Sequence, residues 1–249
     1  MSIYNNIIQA KKEGRKLLSV LIDPDHTSDD ILIGIKNAIE AHVDYFFIGG
    51  SLLHGNAAGE LIDFIKSNSN IPVILFPGST MQINIEADAL LYSSVISGRN
   101  PELLIGRHVE SAFLLKKSPL EIISLGYMLI DSGQVTSVNY MSNTQPIPHD
   151  KRSIAVSTAI AGELLGLKMI YLEAGSGARR AVSSKMIQDV SHNISIPLIV
   201  GGGIREPEMA TAALLSGADM VVIGNAAEKD PSLIFDMSAA VHSLKSKIT

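Results

Sequence analysis

The sequence predicts a parallel (β/α)8 barrel of the TIM-barrel class that forms one domain over residues 1–249. The length of 249 residues is close to that of one complete barrel. Short apolar runs alternate with segments of helical periodicity, as in proteins built on a parallel sheet. Two apolar runs near the C-terminus, at residues 197–200 and 219–223, end in glycine, as do the strands before the phosphate-binding loops of such barrels.

Eight apolar runs that stop at turn-forming or polar residues are predicted to be the strands. They cover residues 16–22, 44–48, 72–76, 89–92, 126–130, 168–173, 197–200 and 219–223. Their apolar side chains suit strands that are buried on both faces. The first strand stops at Asp23-Pro24-Asp25, the second at Gly49-Gly50-Ser51 and the sixth at Ala174-Gly175-Ser176-Gly177.

Helical periodicity between the strands predicts an outer ring of helices. These helices cover residues 28–41, 59–67, 101–116, 153–165, 183–192, 206–216 and 231–246, with Ser28 as the N-cap of the first. Only residues 78–88 separate strands three and four, so the third helix is expected to be short or missing. The long polar stretch 131–152 after strand five has the length of a functional loop.

The composition bounds the class of protein. A hydrophobic fraction of 46% and a charged fraction of 18% allow a large core, and a net charge of −5 argues against a nucleic-acid binder. The absence of cysteine excludes disulfides and thiolate metal sites. The N-terminus lacks a signal-peptide pattern, and no apolar run reaches the roughly 20 residues that span a bilayer. We expect a cytoplasmic protein with at most peripheral membrane contact.

Acidic and hydroxyl side chains follow the first two strands. Barrel enzymes place their chemistry at the C-terminal strand ends, and Mg²⁺ prefers carboxylate oxygens and substrate phosphates. Asp23 and Asp25 are therefore candidate magnesium ligands, although an Asp-Pro-Asp sequence also suits a turn. Ser51 is either a hydroxyl ligand or a turn residue. No two histidines have the spacing of a zinc site.

Strand six and its following turn carry the richest pattern. Alternation along the strand places Tyr171 and Glu173 on the same face, which could be the barrel interior. A buried Glu173 would be either a general base with a raised pKa or one partner of a structural ion pair. Glycine backbones suit a phosphate because no side chain keeps the anion away. Such glycines follow strands six to eight, at Gly175, Gly177, Gly201, Gly202, Gly203 and Gly224.

These motifs together resemble the geranylgeranylglyceryl phosphate synthase family and its bacterial relatives. The resemblance rests on Leu21-Ile22-Asp23-Pro24-Asp25, Gly49-Gly50-Ser51, Tyr171-Leu172-Glu173-Ala174-Gly175-Ser176-Gly177, Val200-Gly201-Gly202-Gly203-Ile204-Arg205 and Gly224-Asn225. It covers nearly the whole chain, and the segment from Tyr171 to Gly177 is its most specific part. The short connection after strand three also fits, because the third helix of that family's barrel is altered.

The resemblance implies a prenyltransferase of ether-lipid biosynthesis, in a family that is usually homo-oligomeric. It would alkylate the sn-3 hydroxyl of sn-glycerol 1-phosphate with geranylgeranyl diphosphate and release diphosphate, with Mg²⁺ as cofactor. By similarity, Asp23 and Ser51 carry the metal. Glu173 would accept the hydroxyl proton, with Tyr171 helping to orient it. The implied substrate-binding residues are Tyr171, Leu172, Glu173, Ala174, Gly175, Ser176, Gly177, Gly202, Gly203, Gly224 and Asn225.

A prenyl chain also needs a long apolar groove, which we expect beside the gap after strand three, near Phe76, Tyr92 and Ile96. Two alternatives stay open from the residues alone. A phosphosugar isomerase would share the barrel and phosphate loops but needs an acid–base pair, for which strand five offers only Asp131 opposite Asp23. A non-catalytic phosphate-binding barrel would need neither a metal ligand nor a base.

Overall fold

The chain folds into a closed barrel of eight parallel strands in a computed structural model that describes residues 2–25, 29–50 and 57–244. Each strand pairs with the next along the chain, and the eighth pairs with the first, which confirms the predicted (β/α)8 barrel. The strands are β1 (Leu17–Ile22), β2 (Tyr45–Ile48), β3 (Val73–Leu75), β4 (Ala89–Val95), β5 (Glu121–Leu129), β6 (Met169–Glu173), β7 (Leu198–Gly201) and β8 (Met220–Ile223).

Two apolar layers follow from the alternation of side chains along these strands. On β2 and β6, Phe47 and Tyr171 point into the barrel and belong to an interior cluster. Their neighbours Phe46 and Leu172 point outward and pack with the helices in a second, larger cluster. Both faces of the sheet are therefore buried, as the apolar strand sequences predict.

The helices form the outer layer, and the predicted ring is largely confirmed. They are α1 (Ile3–Lys12), α2 (Asp29–Glu40), α3 (Ala57–Asn68), α4 (Arg107–Lys117), α5 (Ser137–Ser142), α6 (Arg152–Leu164), α7 (Ser184–Ser191), α8 (Pro207–Leu215), α9 (Asn225–Lys229) and α10 (Leu233–His242). A π-helical turn, Glu102–Gly106, precedes α4. Ser28, the predicted N-cap of α2, lies outside the described residues. Within the described residues, no helix is both long and apolar enough to cross a membrane.

Helix α1, which the sequence pattern did not predict, closes the N-terminal end of the barrel. Ile3 and Ile7 on this helix are buried in the interior cluster. The carboxylate of Glu121, at the start of β5, accepts hydrogen bonds from the backbone N–H groups of Ile3 (2.6 Å) and Tyr4 (3.0 Å). An acid at a helix N-terminus satisfies free N–H groups and interacts favourably with the helix dipole. Helix α1 does not cover the opposite, C-terminal end of the barrel, where the candidate active site lies.

The connection between β3 and β4 contains no full helix. One short 3₁₀ turn, Thr80–Gln82, stands where the third helix of the ring would lie, as the length of this segment predicts. Strand β4 extends beyond its predicted end to Val95, because Ser93 and Ser94 pair with β5 although they interrupt the apolar pattern. The 131–152 stretch contains helix α5, whose first turn is fixed by a capping box between Thr136 and Asn139.

Candidate active site

A cavity of about 550 Å³ opens at the C-terminal ends of the strands. Aromatic rings of Phe76, Tyr127 and Tyr171 line it, and the centroids of Phe76 and Tyr127 each lie about 5.5 Å from that of Tyr171. Tyr127 was not predicted from the sequence. It pairs in register with Tyr171 across β5 and β6, so aligning the two strands would have revealed it. These rings make an apolar wall beneath the polar strand ends.

Glu173 is the buried acid of the cavity. It lines the cavity together with Tyr171, as predicted, and only 5% of its surface is exposed. The backbone N–H of Gly175 donates a hydrogen bond of 2.6 Å to its Oε1. Burial raises the pKa of Glu173, and the nearby Tyr171 hydroxyl and Gly175 N–H offset this only in part. No cation within the described part of the chain forms an ion pair with Glu173, so the structural ion pair considered above is absent there.

Tyr171 is a neutral, buried hydroxyl beside that acid. Burial, followed by the charge of Glu173, raises the pKa of Tyr171, and the same two causes raise the pKa of Tyr127. The nearby Tyr171 hydroxyl lowers the pKa of Glu173. It nevertheless makes no hydrogen bond of normal geometry with any described residue. A buried hydroxyl in this state is ready to donate to a ligand, because leaving it unpaired is unfavourable.

The glycines after β6 and β7 form one continuous concave surface. Gly175, Gly177, Gly202 and Gly203 all line the cavity, and each has a φ between +73° and +93° that favours glycine. A β-carbon on Gly202 would overlap Glu173 Oε1 and lie 2.6 Å from the Gly175 nitrogen. Successive backbone groups in such conformations make an anion-binding concavity. The predicted phosphate loops are therefore brought together next to the buried acid.

The loop after β8 completes this surface. Gly224 and Asn225 line the cavity, and the Ser176 hydroxyl donates a hydrogen bond of 2.6 Å to Asn225 Oδ1. Arg205, also at the cavity, donates to the carbonyl of Ala178 in the loop after β6. Hydrogen bonds thus connect the loops after β6, β7 and β8, which are far apart in sequence, around one cavity.

Two of the predicted substrate-binding residues are placed differently. Leu172 and Ala174 are buried in the outer cluster between the barrel and the helices and do not line the cavity. The reason is the alternation along β6, which turns them away whenever Tyr171 and Glu173 point inward. The Ala174 N–H is occupied as well, since it donates to the Gly201 carbonyl at 3.1 Å. The side chains of both residues therefore face away from the cavity.

Asp23 lines the cavity on the side of β1, and its carboxylate packs against Gly50, which follows β2. A β-carbon at position 50 would be 2.7 Å from Asp23 Oδ2. The described residues contain no group of three acids or histidines that could enclose a metal ion. One carboxylate beside an open cavity fits Mg²⁺ that takes its other ligands from substrate phosphates and water. Ser51, the second predicted ligand, lies outside the described residues.

A second cavity, of about 70 Å³, lies between β4 and α4, beside the 3₁₀ turn, and adjoins the first through lining residues that the two share. Of the three residues expected near the prenyl groove, Phe76 lines the main cavity and Tyr92 the second. Ile96 is instead packed in the outer cluster next to Gly126, so the expectation for it is wrong. Leu103 and Arg107, which the sequence pattern did not single out, border both cavities.

The long segment after β5 covers part of the main cavity. Val138 and Met141 of α5 line it. The segment is tied to the loop after β6, because Gln134 Nε2 donates to the Gly177 carbonyl at 2.6 Å. Asp131 pairs with Arg180 at 3.3 Å and does not line the cavity, so the acid–base pair that an isomerase would need is not formed.

Comparison with known proteins identifies the family. The chain matches the PcrB family over residues 9–242. Geranylgeranylglyceryl phosphate synthase of Chitinophaga pinensis is 53% identical over 242 residues, covering 97% of this chain and 96% of the relative. The protein of that name from Pyrococcus horikoshii is 42% identical over 231 residues, covering 91% of this chain and 89% of the relative.

Solved structures agree with this result. (S)-3-O-geranylgeranylglyceryl phosphate synthase from Thermoplasma acidophilum, in complex with its substrate sn-glycerol-1-phosphate, superposes with a TM-score of 0.91 at 31% identity, over 98% of this chain and 100% of that one. A tryptophan synthase α chain from Legionella pneumophila, with a TM-score of 0.60 at 14% identity, shares the fold alone. The chain therefore belongs to the PcrB family and is a relative of the geranylgeranylglyceryl phosphate synthases.

Proposed function

We propose that the protein is a prenyltransferase that joins sn-glycerol 1-phosphate and geranylgeranyl diphosphate through an ether bond. The observation that carries this proposal is the buried Glu173, which lies between the Tyr171 hydroxyl and the glycine loops inside one cavity. A pure binding site for phosphate has no need of a buried acid whose pKa is raised. Family membership supports the same activity.

The acceptor phosphate would bind the backbone N–H groups of the glycine loops after β6, β7 and β8. Ser176 and Asn225 hold two of these loops together. An anion is favoured there because the loops expose donors without side chains. With the phosphate at these loops, the glycerol hydroxyls would lie within reach of Glu173, because its Oε1 occupies the space where a β-carbon of Gly202 would project.

The donor diphosphate would bind on the Asp23 side of the cavity, away from the acceptor phosphate. Separate sites keep the two anions apart, which lowers their repulsion. Asp23 would hold Mg²⁺ there, with Ser51 as a further candidate ligand. When bound, the metal neutralises negative charge that grows on the leaving diphosphate. The prenyl chain would follow the aromatic wall at Phe76 toward the second cavity at Tyr92.

The reaction balances with the groups that line this cavity. The sn-3 oxygen of glycerol 1-phosphate forms a bond to C1 of the prenyl group, and the bond between C1 and the diphosphate oxygen breaks. Glu173 accepts the hydroxyl proton, for which a raised pKa is favourable. Its carboxylate and the aromatic faces of Tyr127 and Phe76 also stabilise positive charge that develops on the allylic carbon.

A direct assay tests the proposal. The purified protein is incubated with sn-glycerol 1-phosphate, Mg²⁺ and prenyl diphosphates of several lengths, and the product is identified by mass spectrometry. We expect the ether phosphate to form only with Mg²⁺ present and with this enantiomer. Absence of product at every donor length, or equal turnover of sn-glycerol 3-phosphate, would overturn the proposal.

We also propose that the protein associates with copies of itself. Val109 and Phe113, four residues apart on α4, expose 67% and 83% of their surface, and Tyr140 on α5 exposes 81%. Large apolar side chains exposed at helical spacing are typical of interaction surfaces. Light scattering that gives a monomer mass at micromolar concentration would contradict self-association.

A further inference from the structure

The 3₁₀ turn that stands in for the third helix contributes a buried amide to the rim of the site. Gln82 is the last residue of this turn, and only 9% of its surface is exposed. Its Oε1 accepts a hydrogen bond of 2.9 Å from the Gly78 N–H, in the loop after β3. Its Nε2 donates a hydrogen bond of 3.0 Å to the Gly50 carbonyl, in the loop after β2. One side chain therefore joins two loops that line the cavity.

Gly50 is the residue against which the Asp23 carboxylate packs. Both carboxylate oxygens lie within 2.8 Å of the position that a β-carbon of Gly50 would occupy. If the Gly50 backbone moved toward β1, it would displace the Asp23 carboxylate. If the Gly50 backbone moved away from β1, the carboxylate would lose this packing contact. The hydrogen bond from Gln82 fixes the Gly50 carbonyl and with it this contact surface.

The other loop in this chain of contacts is held on both sides. The Gly78 N–H donates to Gln82, and the Gly78 carbonyl accepts a hydrogen bond of 2.6 Å from Arg107 at the start of α4. Arg107 makes no ion pair with any described residue. Helix α4, Gly78, Gln82, Gly50 and Asp23 thus form an unbroken series of contacts around the rim. This barrel has a short 3₁₀ turn in place of the third helix, and the Gln82 amide at its end links the loop after β2 to the loop after β3.

We propose that Gln82 is a positioning residue for the donor diphosphate and its metal. It acts through Gly50 on the Asp23 carboxylate and touches neither substrate. This inference rests on the proposed function of Asp23 as the metal carboxylate. Loss of the Gln82 amide is expected to weaken binding on the donor side of the cavity, while the glycine loops of the acceptor side keep their affinity for phosphate.

Calorimetric titration of the intact protein tests this without turnover. The probes are inorganic pyrophosphate with Mg²⁺ for the donor side and sn-glycerol 1-phosphate for the acceptor side. Gln82→Met keeps the length of the side chain without either hydrogen bond, and Gln82→Glu keeps an acceptor for Gly78 but no donor for Gly50. For both variants we expect about a tenfold loss of magnesium pyrophosphate affinity, the size typical when support of a metal ligand is removed. Affinity for sn-glycerol 1-phosphate should stay within about twofold of wild type.

Controls separate positioning from a general loss of structure. Asn84→Ala, in the same connection, removes an exposed hydrogen bond to Glu86 and should leave both affinities unchanged. Equal weakening of both probes by the Gln82 variants, or no weakening of either, would overturn the proposal. If the Gln82 variants do not fold, Arg107→Met removes the other support of Gly78 and must show the same selective loss.

The variant Asp23→Asn distinguishes this inference from the proposed function. If Asp23→Asn leaves magnesium pyrophosphate binding intact, the metal assignment itself is wrong. If Asp23→Asn weakens this binding and the Gln82 variants do not, only the role of Gln82 is wrong.

Discussion

The hydroxyl of Tyr171 occupies the space beside Gly201 into which a β-carbon would project, so that a β-carbon at position 201 would overlap it. Carbon atoms of the Tyr171 ring would be 3.0 Å away as well. The last residue of β7 is thus a glycine because β6 presents a large ring to it. The same ring lies beside the buried Glu173, so a change at Gly201 would act through Tyr171 on the proposed general base.

Gly201→Ala is expected to lower activity strongly and to destabilise the fold by about 1–3 kcal/mol, the usual effect of overpacking. Removing the overlapping hydroxyl in the double variant Gly201→Ala/Tyr171→Phe should restore part of the stability. Chemical denaturation of both variants and of Tyr171→Phe measures the coupling. Gly34→Ala, where a β-carbon meets nothing within 4 Å, is the matched control and should not destabilise. Additive effects at positions 171 and 201 would contradict the contact.

Glu173→Gln is expected to reduce kcat by about 10²–10⁴, the range for loss of a general base, without unfolding the protein. The amide oxygen of the substituted side chain would still accept the hydrogen bond from the Gly175 N–H. Circular dichroism and binding of sn-glycerol 1-phosphate check that the site is intact. Retention of wild-type turnover would exclude Glu173 as the base.

The difference in stability between Glu173→Gln and the wild type should also depend on pH in a defined direction. The pKa of Glu173 is raised in the folded protein, so the folded state binds its proton more tightly than the unfolded state. The free energy of unfolding of the wild type therefore falls as pH rises from the ordinary glutamate pKa through the raised one. Glu173→Gln lacks this loss. Relative to wild type, it should gain stability toward neutral pH, and this gain should vanish below about pH 4.

Ser176→Ala is expected to raise KM for sn-glycerol 1-phosphate by about tenfold, with little change in KM for the prenyl diphosphate. The substitution removes the hydrogen bond to Asn225 that joins the loops after β6 and β8. Ser183→Ala is a suitable control, because it deletes the N-cap of α7 outside the cavity. It should lower stability by about 1 kcal/mol and leave both KM values unchanged. Equal rises in both KM values for Ser176→Ala would refute a selective acceptor role.

The parts of the site that the sequence reveals are those that depend on short spacing. Glycine at a strand end predicts a loop that admits an anion, and alternation predicts that Tyr171 and Glu173 share a face. Gln82 could not be found in this way, since Gly50, to which its amide donates, lies 32 positions earlier in the loop after β2. Glu121 likewise caps a helix that begins 118 positions earlier. Contacts of this kind depend on which loops the closed barrel brings together.

In the fold, too, some elements could be predicted from the sequence pattern and others could not. Continuous apolar runs identified most strands. The end of β4 and the start of β5 were missed, because Ser93, Ser94 and Ser124 interrupt the apolar pattern although they pair in register. Helix α1 was missed because its buried face is narrow and it precedes the first strand. Its residues Ile3 and Ile7 show their role only once the barrel interior exists to receive them.

Ser111→Phe is expected to shift the donor preference toward shorter prenyl diphosphates. Ser111 is 5% exposed on α4 and lines the second cavity together with Leu115. A phenyl ring there would fill space that the end of a long chain needs, while the cavity around Glu173 stays open. Leu114→Phe, at an exposed position of the same helix, is the matched control and should leave the preference unchanged. The measurement is kcat/KM for donors of three lengths. A hydrophobic pocket discriminates by about 1–3 kcal/mol for each methylene that no longer fits, so a blocked cavity would change the ranking of the donors visibly. An unchanged ranking for Ser111→Phe would therefore show that the chain does not enter the second cavity.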